Sequence, residues 1–277
     1  MGMNRYGART FTLEIVAILL AIVFLIPFYF LVGNSLKPFA EILLDSAALP
    51  KKLNWDNYTK AWEIMKYPRA FGNSLLITVT SIAGLVWISS MAAYRMVRRP
   101  TKYNQILFLL FVAAMVIPFQ SIMIPLMRVA NWFNLMGSMP GLWFAYLGFG
   151  SSLTIFLYHG FVKSIPQEIE ESAVVDGCSP YGVFWRIVFP LLKPMTVTII
   201  ILNSLWIWND FLLPQLMLSG PELRTIPLST FSFFGQYTKK WDLALAALVM
   251  GVTPIVIFFL TLQRHIIEGI TAGSVKG

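Results

Sequence analysis

The chain has 277 residues, of which 57% are hydrophobic and 12% charged, about half the charged share of a soluble domain. That balance excludes a disordered tail, a disulfide scaffold and most soluble enzymes. The net charge is +8 and there is one cysteine, Cys178; the basic excess fits loops beside anionic lipid better than it fits nucleic acid.

A helix crosses a bilayer with about 20 apolar residues. Six stretches qualify, in chain order 13–33, 72–94, 106–127, 139–161, 195–217 and 243–262. The first follows Arg5 and Arg9 in the manner of a secretory leader. Its apolar run is too long for a cleaved segment, and it reads as an uncleaved first span. Pro27, Pro118, Pro125, Pro214 and Pro254 fall inside spans. Neighbouring helices and hydroxyls in a bundle re-satisfy the carbonyls that proline frees, so six helices are still expected. Runs such as 15–30 do not alternate polar with apolar residues, which excludes the strands of a membrane barrel. No internal repeat is evident. The expectation is an all-α integral membrane protein with six transmembrane helices, forming a single domain over 1–277.

Charge orients the spans. The raw Lys/Arg count splits nearly evenly between the two sides, but long loops translocate with little regard to charge. The short loop after span two carries Arg95, Arg98, Arg99 and Lys102, whereas the long loop 34–71 dilutes its basic residues with Glu41, Asp45, Asp56 and Glu63. Both termini are therefore expected in the cytoplasm. Loops 34–71 and 218–242 would lie outside and carry most of the soluble mass. Trp55, Tyr58, Trp62 and Tyr67 in the first read as an interfacial belt, with a small packed cap as the alternative.

Ion-coupled carriers hold ionisable groups in mid-membrane. Here Glu14, His159 and Asp210 all sit toward span ends. The chain also lacks the G-x-x-x-x-G-K-[ST] phosphate loop, so uphill transport would draw its energy from another polypeptide. Neutral polar stripes do occur. Thr196, Asn203, Trp206 and Asp210 share a face of span five, Ser151, Thr154 and Tyr158 a face of span four, and Thr78 and Ser81 a face of span two. Hydroxyls, amides and rings are what a sugar path offers. Ser151, Thr154, Asn203, Trp206, Asn209 and Asp210 are the candidate substrate-path residues. The alternative is bonding between helices, about 1 kcal/mol or less per bond. His159 and His265 are too few and too scattered for a catalytic or metal cluster.

The segment 163–194 is the most legible loop. Ser164 and Gln167 have the spacing of a capping box, Pro166 suits a first helical turn, and Glu168, Glu170 and Glu171 favour the positive helix end. Gly177 supplies a left-handed stop. Ser179-Pro180 then starts a second helix that Pro190 and Pro194 punctuate. A short acidic helix over about 165–176 is predicted, with Ile169, Ala173 and Val174 as a small apolar face. Such a rigid helix held outside the membrane is a lever that can dock on a soluble partner. A helix lying on the headgroups is the alternative, and three glutamates beside anionic lipid disfavour it.

Glu171-Ser172-Ala173-Val174-Val175-Asp176-Gly177-Cys178, followed by Ile187-Val188-Phe189-Pro190, resembles the EAA loop of the membrane subunits of ATP-binding-cassette importers. Ser172 and Cys178 depart from the alanine that the family favours, and Phe189 from its leucine. Trp208-Asn209-Asp210-Phe211-Leu212-Leu213-Pro214 resembles the sugar-importer permeases, and the tail from Gly269 to Gly277 is similar to that of the maltose-type G-subunit class. The resemblance covers essentially the whole chain.

The resemblance implies a type I ABC importer permease fold. It implies a non-catalytic subunit without cofactors of its own, ATP and Mg being bound by the partner ATPase. Glu170, Glu171, Ala173, Val174, Asp176 and Gly177 would belong to the coupling helix that docks on that ATPase. Gly273 and Lys276 would lie in a tail reaching between two ATPase copies. The implied partners are a second homologous permease subunit, two cytoplasmic ATPases and an extracytoplasmic solute-binding protein facing the loop 218–242. The cargo would be a sugar, of oligosaccharide type, carried across a bacterial inner membrane. A polyol or glycerol-phosphate permease and an ion-coupled carrier acting alone are the competing readings.

Overall fold

A computed structural model describes residues 8–234 and 240–274, with side chains over 10–234 and 240–263. The described residues form helices α1 (Ala8–Ser35), α2 (Phe39–Leu44), α3 (Asp56–Met65), α4 (Tyr67–Arg98), α5 (Lys102–Ala114), α6 (Phe119–Trp132), α7 (Met139–Val162) and α8 (Gln167–Val175). They continue with α9 (Pro180–Gly182), a π-helical turn Val183–Val188, α10 (Phe189–Leu191), α11 (Lys193–Asn209), α12 (Leu212–Met217), α13 (Ile226–Phe231) and α14 (Trp241–Ser274).

Among the described residues, four helices are long and apolar enough to cross a membrane: Thr10–Ser35, Tyr67–Arg98, Met139–Val162 and Trp241–Gln263. Counting two bent pairs as one span each raises the number to six. The third predicted span is not one straight helix, because α5 and α6 meet at 111°. Pro118 is the cause. It has no N–H to donate and its backbone is extended (φ −63°, fixed by the ring, and ψ 135°), so it ends one helix and becomes the N-cap of the next. The fifth predicted span is also interrupted. α11 stops at Asn209, Asp210 is extended, and α12 is a separate short helix. By contrast, Pro27, Pro125 and Pro254 lie inside continuous helices.

The chain divides into two compact units. One takes the chain up to Tyr67 together with Ser229–Thr253. Its 34–65 region is a packed cap. Lys37 is fully buried, its ammonium donating to the carbonyls of Asp45 (3.1 Å) and Ser46 (3.3 Å). Asn57, also buried, donates to the carbonyls of Ser35 (2.9 Å) and Lys37 (2.8 Å). The Tyr58 and Ser35 hydroxyls bond at 2.7 Å, while Trp55 and Trp62 remain exposed on the cap. α1 is different: no residue in its most apolar window is buried within the chain, as expected of a helix whose solvent is lipid or another subunit.

The other unit takes Pro68–Leu228 and the chain from Pro254. Its helices α4 and α7 approach closely at glycines. A Cβ at Gly150 would lie 2.6 Å from Leu85 Cδ1, and one at Gly84 would lie 2.7 Å from Leu147 Cδ2. Small residues at such crossings are the membrane solution to helix packing. A second apolar cluster joins Ala93, Tyr158, Val162, Ile165, Ala173, Phe184 and Val188, and fastens the 163–192 segment to α4 and α7.

Candidate functional site: the 163–192 segment and the polar stripes

α8 starts two residues later than predicted. Pro166, in extended backbone (φ −58°, ψ 137°), is its N-cap. The expected capping box does not form, because the Ser164 hydroxyl turns back to the Phe161 carbonyl at 2.8 Å. A proline at the cap position offers no side-chain acceptor, so the helix begins without one. The stop is as read. Gly177 has φ +85°, its N–H donates to the Val174 carbonyl (3.0 Å), and the Cys178 N–H donates to the Ala173 carbonyl (2.9 Å). Those two bonds make a Schellman termination. Ser179 then caps the next helix, its hydroxyl accepting the Gly182 N–H at 3.2 Å.

The faces of α8 differ from expectation in one respect. The inward residues are Glu170 and Ala173; Ile169 and Val174 are exposed. Glu170 is 8% exposed. Its Oε1 accepts Arg98 Nε at 2.7 Å and lies 2.6 Å from Arg98 Nη2 as an ion pair, and its Oε2 accepts the Tyr94 hydroxyl at 2.7 Å. Arg98 Nη2 also donates to the Ile165 carbonyl at 2.9 Å, just before α8 begins. An acid can point inward here because α4 supplies a cation and a hydroxyl one turn apart, which satisfies both carboxylate oxygens. Glu168, Glu171, Val174, Val175 and Asp176 remain exposed. The six residues read from the loop therefore divide: Glu170 and Ala173 hold the helix to its own chain, Glu171, Val174 and Asp176 face out, and Gly177 shapes the turn.

The polar stripes of spans four and five meet each other. Tyr158 and Thr196 bond at 2.9 Å, Asn203 Nδ2 lies 3.5 Å from Thr154 Oγ1, and the Tyr146 hydroxyl donates to Asp210 Oδ2 at 3.0 Å. Asp210 Oδ1 accepts the N–H groups of Leu212 (3.0 Å) and Leu213 (3.4 Å), so this carboxylate also starts α12. Ser151 donates to the Leu147 carbonyl, and Asn209 to the Leu205 carbonyl at 2.7 Å. Of the six path candidates, Trp206 lines a cavity of about 620 Å³, edge-on to Tyr146 and close to Phe144, Phe149 and Ser152. Gly273 lies in the last turns of α14, and Lys276 lies outside the described residues.

Arg98 and Tyr94 escape a reading of the sequence. Arg98 stands between Arg95 and Arg99 and reads only as loop charge. The available signal was spacing, since Tyr94 and Arg98 are four apart on one helix face and Arg95 and Arg99 are not on that face.

Residues 84–272 match the family described as the binding-protein-dependent transport system inner membrane component. The chain is 43% identical over 274 residues to the probable starch degradation products transport system permease protein AmyC of Thermoanaerobacterium thermosulfurigenes, a match covering 99% of this chain and 100% of that one. It is 36% identical over 275 residues to the melibiose/raffinose/stachyose import permease protein MelC of Bacillus subtilis, covering 98% and 99%. It also resembles a chain in the crystal structure of a bacterial ABC transporter involved in the import of the acidic polysaccharide alginate, with a TM-score of 0.77 at 19% identity over 95% of this chain and 99% of that one. That likeness shows a shared fold, the type I permease fold.

Proposed function

The chain belongs to the binding-protein-dependent transport system inner membrane components, and we propose that it is the transmembrane permease subunit of an ATP-driven importer of oligosaccharides. Support for sugar as cargo comes from the relatives, whose names specify starch degradation products and melibiose, raffinose and stachyose. The observation that carries the mechanism is the two-faced helix α8. One face is anchored by Glu170 and Ala173, and the other offers Glu171, Val174 and Val175 to solvent.

In this reading the exposed face of α8 docks on a cytoplasmic ATPase, of which the complex holds two copies. A second, homologous permease subunit completes the path through the bacterial inner membrane. An extracytoplasmic solute-binding protein delivers the sugar to the outer side. Both termini are cytoplasmic, and the chain itself does no bond chemistry. ATP binding draws the ATPases together, α8 is displaced, and the spans exchange an inward-open for an outward-open arrangement. Hydrolysis resets them.

The test has two arms. A tag on this chain should co-purify a soluble ATPase in stoichiometric amount. Removing the chain from its host should abolish uptake of labelled malto-oligosaccharide or raffinose. Retained uptake of both sugars overturns the cargo, and absence of any ATPase from the purified complex overturns the mechanism.

A further inference from the structure

The buried polar bonds of α8 all run to α4, while the apolar side of α8 packs on the π-helical turn that follows it in sequence. Glu170 takes two hydrogen bonds and an ion-pair contact from α4, and Arg98 also holds the Ile165 carbonyl. Toward α11, by contrast, the chain passes through a π-helical turn at Val183–Val188 and then bends by 71°. π-turns and sharp bends are places where a helix yields. The stiff connection from α8 therefore leads into α4.

α4 is one uninterrupted helix of 32 residues, about 48 Å at 1.5 Å per residue. Its far end is tied as well. Asn73 Nδ2 donates to the carbonyls of Glu222 (2.8 Å) and Arg224 (3.0 Å), and the buried Ser74 hydroxyl accepts the Ile226 N–H at 2.9 Å. These bonds gather the loop between α12 and α13 onto the end of α4 opposite Arg98. About 38 Å of continuous helix separates Asn73 from Arg98.

We infer that α4 is a connecting rod, latched to α8 by Arg98, Tyr94 and Glu170 and to the 222–226 loop by Asn73 and Ser74, so that displacement of α8 repositions that outer loop directly. The inference rests on α8 being the ATPase-facing helix. A rigid element with defined attachments at both ends is the physical form that coupling between distant sites requires. Arg98, Tyr94, Asn73 and Ser74 are positioning residues in this device. The buried latch survives the cycle intact, because opening it would leave Glu170 and Arg98 desolvated and unpaired.

The experiment uses the tagged complex purified with its ATPase, in a Cys178→Ser background carrying an environment-sensitive fluorophore at Arg224→Cys. Mg-ATP with vanadate should change the fluorescence of this labelled parent. Arg98→Ala and Glu170→Ala should each reduce that change at least fivefold while ATPase co-purification is retained. The charge-swapped pair Arg98→Glu with Glu170→Arg should restore at least half of it. Asn73→Ala, which disturbs no buried charge, should reduce the change at least threefold and leave the ATP response of a label at the exposed start of α8, at Gln167→Cys, unaltered. An undiminished loop response in Arg98→Ala, Glu170→Ala and Asn73→Ala overturns the rod and leaves the importer reading standing. A labelled parent that does not respond to ATP at either position overturns both.

Discussion

The Tyr146 hydroxyl donates to Asp210 Oδ2 at 3.0 Å, while Asp210 Oδ1 accepts the N–H of Leu212 at 3.0 Å. One carboxylate thus holds α7 against the end of α11 and starts α12. Asp210→Ala should cost about 2–4 kcal/mol, since it orphans a fully buried tyrosine hydroxyl and removes a cap together. Tyr146→Phe removes only the cross-helix bond and should cost about 1 kcal/mol. Thermal unfolding in detergent checks the order. Equal midpoints for the two variants would show that the cap contributes nothing.

Gly177 has φ +85° with nothing within 4 Å of where a Cβ would sit. Substitution there is a test of backbone conformation free of steric overlap. Gly177→Val should cost about 1–2 kcal/mol locally, open the turn after α8 and abolish sugar uptake with normal membrane insertion. Gly177→Asn should be milder, because asparagine tolerates the left-handed region. Uptake measured at matched expression distinguishes the two. Equal, normal uptake in both would rule out a role for the turn.

Gly150 packs where a Cβ would meet Leu85 Cδ1 at 2.6 Å, and Leu85 is fully buried. Gly150→Val should destabilise the α4–α7 contact by about 1–3 kcal/mol. Adding Leu85→Ala should recover part of the loss by returning volume. A double variant less stable than both single variants, measured by thermal unfolding in detergent, would show that the two sites are not in steric competition.

Lys37 is fully buried and donates to two carbonyls of the 45–46 segment. Lys37→Met keeps most of the volume but leaves those carbonyls without this donor. The cap should lose about 1–3 kcal/mol, and limited proteolysis should cut within 43–53 faster than in the parent chain. Identical cleavage rates would mean that Lys37 does not hold the segment.

How much of this was legible follows from the range of the interactions concerned. The six apolar runs, the Gly177 stop and the Ser179 cap depend on bonds within a few residues, and local pattern predicts them. Pro118 shows the limit. Pro27, Pro125 and Pro254 are absorbed by their helices, whereas Pro118 turns the chain by 111°. All five prolines in predicted spans look alike in sequence, and packing decides which one bends the chain. The polar stripes were visible as stripes. That Thr154, Tyr158, Thr196 and Asn203 pair with one another, across separations of 38 and 49 residues, was not.

Composition and periodicity alone determine that this protein lives in a membrane, as helices, with a short acidic helix between two of them. Those properties are sums over local residues and survive any rearrangement of the spans. Only the tertiary structure decides that Glu170 faces inward to Arg98 and Tyr94 while Glu171 faces out. Adjacent glutamates on one helix are chemically identical, and what separates them is a cation and a hydroxyl carried on another helix more than 70 residues away.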